Sequence, residues 1–444
     1  MARPSKRLLA LLLVAGVTAG CAPDQAQSSA VSPPAALPQS VEESQSAENS
    51  QSGLPYEQFV SLKVDGLPFE LQVLSAPTQS VGVAKAQSAK NSILGTDYEV
   101  LGRTETQGNM PGPMPRVLLE DGSAFGSLMH RVGDGDITSL EDIPSEAGII
   151  ATNGTFTPLS EFAKEMTSLP GSNPDELYFE PQHGNAVGSW VVWREGSAGQ
   201  ANAMPNLDSD DWRMVAWNTS TEDVTELASA FLTHGDRFAP YASWDSAPTT
   251  DGTLAYFEAT IPGDDGSWVN SVLSVPLDSP GDISLVGRGM MPVASLGGEP
   301  YWIATLDNDP GTVVKDGKPL FSVSGSGWSI RRLAGSEDLL IATVANETSA
   351  WLIIYDIAAG EITQVVDTGS DWAEASVSGS SFVWGNNSGS GDPTMYRMEA
   401  GESPVALWGV QGLSAPLISG DVLAVPTELD NGAIVWTFLR WLGN

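Results

Sequence analysis

The strongest constraint on this chain is a hairpin that returns at intervals of about forty residues. An alternating apolar strand leads through a turn to a small or acidic residue, an acid, a β-branched residue and usually a hydroxyl. It reads Ser127-Leu128-Met129-His130-Arg131-Val132 to Gly135-Asp136-Ile137-Thr138, then Arg213-Met214-Val215-Ala216-Trp217 to Glu222-Asp223-Val224-Thr225. It returns as Ser271-Val272-Leu273-Ser274-Val275 to Gly281-Asp282-Ile283-Ser284, and as Leu352-Ile353-Ile354-Tyr355 to Gly360-Glu361-Ile362-Thr363. A weaker copy joins Met395-Tyr396-Arg397-Met398 to Gly401-Glu402-Ser403. Strands of alternating hydrophobicity around Gly, Asp, Asn or Ser turns are antiparallel hairpins.

A second pair of short strands precedes most hairpins, as in Asn185 to Trp193, Thr250 to Phe257, Gly297 to Ala304 and Gly335 to Ala342. Gly379 to Trp384 and Gly420 to Val425 repeat it. Each unit therefore has four strands. That is the composition of one blade of a β-propeller, which predicts an all-β fold for residues 56–444. Blades are expected near 97–143, 180–229, 239–288, 291–323, 329–367, 373–409 and 414–441. Seven is the expected number, with six or eight open. The last unit has three evident strands, so its fourth is expected from Phe59 to Val64 or Phe69 to Leu74, which would close the ring. Residues 141–181 carry Pro144, Pro158, Pro170 and Pro174 and read as an irregular insertion. It would cover one mouth, provide a partner surface or hold an eighth blade.

These units resemble the TolB-like and WD-like propeller repeats of exported bacterial proteins. Thr250-Asp251-Gly252-Thr253-Leu254-Ala255-Tyr256-Phe257 and the following Gly281-Asp282-Ile283 hairpin carry the resemblance best. The Trp-Asp dipeptide that ends WD blades is absent. The likeness implies a fold and no particular activity.

The N-terminus carries a different message. Arg3, Lys6 and Arg7 precede an apolar run from Leu8 to Val17, then Thr18-Ala19-Gly20 and Cys21. A basic start, a short apolar core and small residues form a secretory signal, expected at 1–20. The run is too short for a transmembrane helix. Thr18-Ala19-Gly20-Cys21 resembles a bacterial lipobox, with Thr18 where Leu is usual. The resemblance implies lipidation of Cys21 and a cell-membrane anchor, with the folded part facing the extracytoplasmic side. Cys21 is the only cysteine, so no disulfide can form within the chain and thiol catalysis is excluded. Residues 21–55, rich in Ser, Ala, Pro and Gln, cannot bury enough apolar surface to order themselves and read as a disordered tether.

Fifty-five acids against 20 lysines and arginines give a formal net charge of −35. That excludes a nucleic-acid partner, which needs clustered positive charge, and a polybasic grip on anionic lipid. His130, His183 and His234 lie in separate units without metal-ligand spacing and read as turn or strand residues. The acidic turns at 134–136, 208–211, 264–266 and 307–309 match no calcium-loop pattern. No catalytic residue, metal ligand or cofactor is nominated. Of 14 tryptophans, Trp193, Trp217, Trp302, Trp351, Trp384 and Trp436 fall on strands and read as inter-blade packing. Trp212, Trp244, Trp268, Trp328 and Trp372 lie nearer turns and are the candidate ligand contacts. The expected function is non-enzymatic binding of an envelope protein or glycan. The rivals are a glycan hydrolase or lyase and a small-ligand sensory lipoprotein.

Overall fold

The computed structural model describes residues 59–106, 112–129, 145–159, 178–198, 212–229, 246–263, 266–295, 297–306, 309–386, 394–407, 415–428 and 434–443. Among them the strands form seven sheets, each with an antiparallel core of four strands. The chain is a seven-bladed β-propeller.

Blade 1 holds Met114–Leu118, Ala124–Met129, Ser145–Ile150 and Phe156–Pro158, and blade 2 spans Tyr178–Val187 to Val224–Ser229. Blade 3 runs from Thr249–Thr250 to Ser284–Arg288, blade 4 from Met290–Val293 to Lys318–Ser324, and blade 5 from Ser329–Gly335 to Glu361–Asp367. Blade 6 runs from Ala373–Ser378 to Val405–Ala406. Blade 7 joins Leu417–Ser419, Val422–Glu428 and Ile434–Trp441 to a fourth strand from far upstream, Tyr98–Arg103. The first strand of each blade contacts the first strand of the next, and blade 7 returns to blade 1, so the ring of inner strands is closed.

Closure differs from the expectation. Neither Phe59 to Val64 nor Phe69 to Leu74 completes blade 7. Tyr98–Arg103 does, antiparallel to Ile434–Trp441. It directly precedes blade 1 in the chain, so it already lies at the seam between the last and first blades and needs no long connection. Blade 1 accordingly begins at Met114, not near residue 97. The proposed irregular stretch 141–181 contains the outer two strands of blade 1 and the start of the first strand of blade 2. Residues 160–177 lie outside the described residues.

The freed N-terminal strands form a belt. Glu70–Val73 adds antiparallel to the outer strand of blade 4, with Val60–Leu62 beside it. Gly82–Lys85 adds parallel to the edge of blade 5, and Lys90–Asn91 to that of blade 6. The chain thus caps three exposed edges in succession before supplying the edge of blade 7, which removes unpaired backbone donors and acceptors from the rim. Leu71 is fully buried in the belt, and Phe69 packs on Trp328 with ring centroids 5.0 Å apart.

Most seams are apolar. Phe125 of blade 1 meets Trp193 of blade 2 at 4.5 Å between centroids. Other clusters join blade 2 to 3, blade 4 to 5, 5 to 6, 6 to 7 and 7 to 1. The seam between blades 3 and 4 is held by polar groups as well. The fully buried Glu258 accepts the Met291 backbone N–H at 2.6 Å, and Thr249 Oγ1 accepts the Ala294 N–H at 3.2 Å.

Candidate functional site: an axial cavity

The inner strands surround a cavity of about 200 Å³, and every blade contributes to its wall. Arg116 comes from blade 1, His183 to Asn185 from blade 2, Ser246 to Thr249 from blade 3 and Met291 to Val293 from blade 4. Arg332 to Gly335, Glu374 to Val377 and Ala415 to Leu417 complete it from blades 5, 6 and 7.

Four of the inner strands break register where they meet the cavity. In blade 1 Pro115 pairs with Gly126 and Val117 with Phe125, which leaves Arg116 as an extra residue. In blade 2 Gln182 and His183 fall in the shift between Pro181 and Gly184. Blade 4 shifts between Met290 and Val293, and blade 5 between Ile330 and Arg332. A bulge frees a residue from strict alternation and re-aims its side chain. The bulges of blades 1 and 2 carry Arg116 and His183 to the cavity wall, whereas in blade 5 the extra residue is Arg331 and the wall residue Arg332 follows it, paired with Thr343. Proline accompanies three of the four bulges, at 115, 181 and 292, where its missing N–H is tolerated because the ladder is already interrupted. Gly184 is required for space. A Cβ there would lie 2.7 Å from the Val192 carbonyl oxygen and 3.0 Å from the Trp193 Cβ.

The charges are arranged across blades. Arg332 forms an ion pair with Glu374 of the neighbouring blade. Arg194 lies behind the wall, almost wholly buried, and donates from Nη2 to Gln182 Oε1 at 2.5 Å. His183 is pushed down to about 3, first by loss of hydration deep in the disc and then by Arg116, Arg332 and Arg194. Its ring therefore stays neutral at physiological pH. Ser246 is 1% exposed, and its Oγ finds no hydrogen-bond partner among the described residues. The Asn185 Oδ1 is in the same position.

The tryptophan candidates separate. Trp212 and Trp328 are buried at 3% and 7% exposure. Trp212 packs on Phe257 and Trp328 on Phe69, so both are packing residues, because their turns fold back onto a seam or the belt. Trp268 and Trp372 are open, at 51% and 36%. Trp372 stands two residues before the cavity residue Glu374, just ahead of the inner strand of blade 6. Trp268 begins the third strand of blade 3 and does not line the cavity. Trp244, His130, His234 and Cys21 lie outside the described residues, as do 134–136 and 208–211. Of the other acidic turns, 264–265 and 307–308 also lie outside them. The strand-borne Trp193, Trp217, Trp302, Trp351 and Trp384 are buried.

His183 was legible only as a strand residue, and Arg116 and Arg332 carried no motif. The prolines beside the bulges were the available signal. Among the described residues no cluster of three or more His, Cys, Asp or Glu side chains could hold a metal ion.

No family model matches the chain, and no curated protein does. Solved structures are similar at low identity. An oligogalacturonate lyase in complex with manganese is 9% identical, over 86% of this chain and 96% of its own, with a TM-score of 0.46. The β-propeller domain of the Trilobed protease from Pyrococcus furiosus is 10% identical over 79% and 97%, at 0.41. TolB from Acinetobacter baumannii is 12% identical over 85% and 98%, at 0.34. At these values the likeness concerns the fold alone and carries no activity to this chain.

Proposed function

We propose that this chain is a lipid-anchored, extracytoplasmic propeller that binds a protein or another cell-envelope component without turning it over. One observation carries the choice of binding over glycan hydrolysis. Glycosidic chemistry needs two carboxylates facing one bond. Among the described residues that line the axial cavity, Glu374 is the one acid, and it is engaged by Arg332. The anchor rests on the lipobox-like Thr18-Ala19-Gly20-Cys21, since two acyl chains on one residue give stable attachment. Among the described residues no helix is long and apolar enough to cross a membrane.

The small-ligand reading has an observation of its own. A cavity of about 200 Å³ with convergent polar groups suits a compact molecule or a single side chain of a partner.

The test is capture of the lipidated chain from its own membranes, with mass spectrometry, beside a glycan array read for product formation. A reproducible partner or retained ligand with no cleavage is the expected result. Shortened or unsaturated glycan products would overturn the reading. For the anchor, Cys21→Ala is expected to release the chain from membranes or leave it unprocessed. Normal processing and continued attachment would contradict it.

A further inference from the structure

The wall of the axial cavity is not uniform. Its arginines are committed within the protein: Arg332 is paired with Glu374, and both it and Arg116 have further partners. Two neutral groups, from blades 2 and 3, are not. Ser246 is 1% exposed and lines the cavity, yet its hydroxyl meets no hydrogen-bond partner among the described residues. The buried Oδ1 of Asn185 also lacks one, on the first strand of blade 2, which packs against that of blade 3. His183 stands two residues before Asn185 with its ring held neutral, so it carries one donor nitrogen and one acceptor. Buried polar atoms left unmet are costly, and two of them on one wall favour a ligand that brings its own polar groups.

Elsewhere the wall is apolar, with Pro248, Pro292 and Pro416 from blades 3, 4 and 7. Water alone serves such a recess poorly, because a buried water calls for roughly two to four polar partners. A molecule with a carbon skeleton for the prolines and hydroxyls for Ser246 and Asn185 suits both parts of the wall. A hydroxyl donates and accepts at once, so it satisfies a serine hydroxyl and an amide oxygen alike. Volume limits its size. At roughly 30 Å³ per water, the cavity of about 200 Å³ holds about six or seven waters, or a molecule of about three to six carbons.

We infer that the axial cavity binds a small neutral polyol, with Ser246 and Asn185 as its hydrogen-bond partners and the prolines against its carbon skeleton. This rests on the small-ligand reading of the cavity and names the class of ligand.

The experiment is calorimetric titration of the full chain with glycerol, xylitol and glucose, and with succinate as a charged comparator. At least one polyol is expected to bind saturably, with a Kd of about 1 mM or tighter. Ser246→Ala is expected to weaken that binding about tenfold. It should also leave the urea midpoint of the free chain unchanged or higher, since it removes an unmet hydroxyl. A hydroxyl with a structural role would instead lower the midpoint. No saturable binding by any polyol would overturn the proposal, as would equal binding by Ser246→Ala or a lowered midpoint. If the polyols fail and succinate binds, the polyol proposal falls and the small-ligand reading stands. If neither binds while a membrane partner is still captured, the polyol proposal falls and the broader binding reading stands.

Discussion

His183 shows how much of the site depends on position within the disc. Alone it would titrate near 6.5, but in the fold it is held down to about 3 by lost hydration and by three arginines. Between those values the unfolded chain takes up a proton that the folded chain refuses. Stability is therefore lost as pH falls below 6.5, and the contribution is complete above it. The cost is about 2 kcal/mol by pH 5, with a limiting slope of about 1.4 kcal/mol per pH unit. His183→Gln is expected to remove that part of the slope. Urea denaturation of both proteins at pH 7.5 and pH 5.0 measures it, and parallel losses in the two would contradict the assignment. At the same scale, Gly184→Ala is expected to cost about 1–3 kcal/mol, because the wall behind it is backbone and cannot move aside.

At the level of elements, the hairpins were readable because period-two alternation survives wherever one strand face is buried. Asp316 and Gly317, both with positive φ, close the short hairpin of blade 4 as its sequence implies. What was not readable follows from broken alternation. Arg116 and His183 sit in bulges, where the period that carries the signal is interrupted. Trp212 and Trp328 looked like turn residues because the contacts that bury them come from another blade or from the belt. The difference between packing and open tryptophans is measurable. Trp384, fully buried and stacked on Tyr396 at 5.0 Å, is expected to cost about 3–5 kcal/mol on truncation to Ala. Trp268→Ala is expected to change stability by less than about 0.5 kcal/mol. Denaturant midpoints with constant m-values report both, and similar losses would undo the distinction.

At the level of the molecule, the repeat period implied the number of blades but not how the ring shuts. Hydrophobic pattern marks Val60–Leu62, Glu70–Val73 and Tyr98–Arg103 alike as strands and does not say which edge each will find. The closed ring assigns the last of these to blade 7 and the earlier ones to the rim. Deleting residues up to Asn91 should therefore leave all four-stranded blades intact while uncovering the edges of blades 4, 5 and 6. A folded but association-prone protein is the expected product, read by light scattering and circular dichroism. Deleting up to Arg103 also opens the ring, and a much larger loss of stability is expected. Equal outcomes would mean that Tyr98–Arg103 does not close the propeller.

The central claim is that seven blades close into one ring around an axial cavity. Because Cys21 is the only cysteine, a Cys21→Ser background carries no thiol, and Ser376→Cys would place one at the half-buried cavity wall. Ser279→Cys, at an exposed turn beside Asp278, provides the reference. The measurement is the rate of reaction of each thiol with one thiosulfonate reagent. Relative to the reference site, the cavity thiol is expected to react several-fold more slowly, and deletion up to Arg103 is expected to abolish the difference. Equal rates at the two sites in the full-length chain would contradict the account.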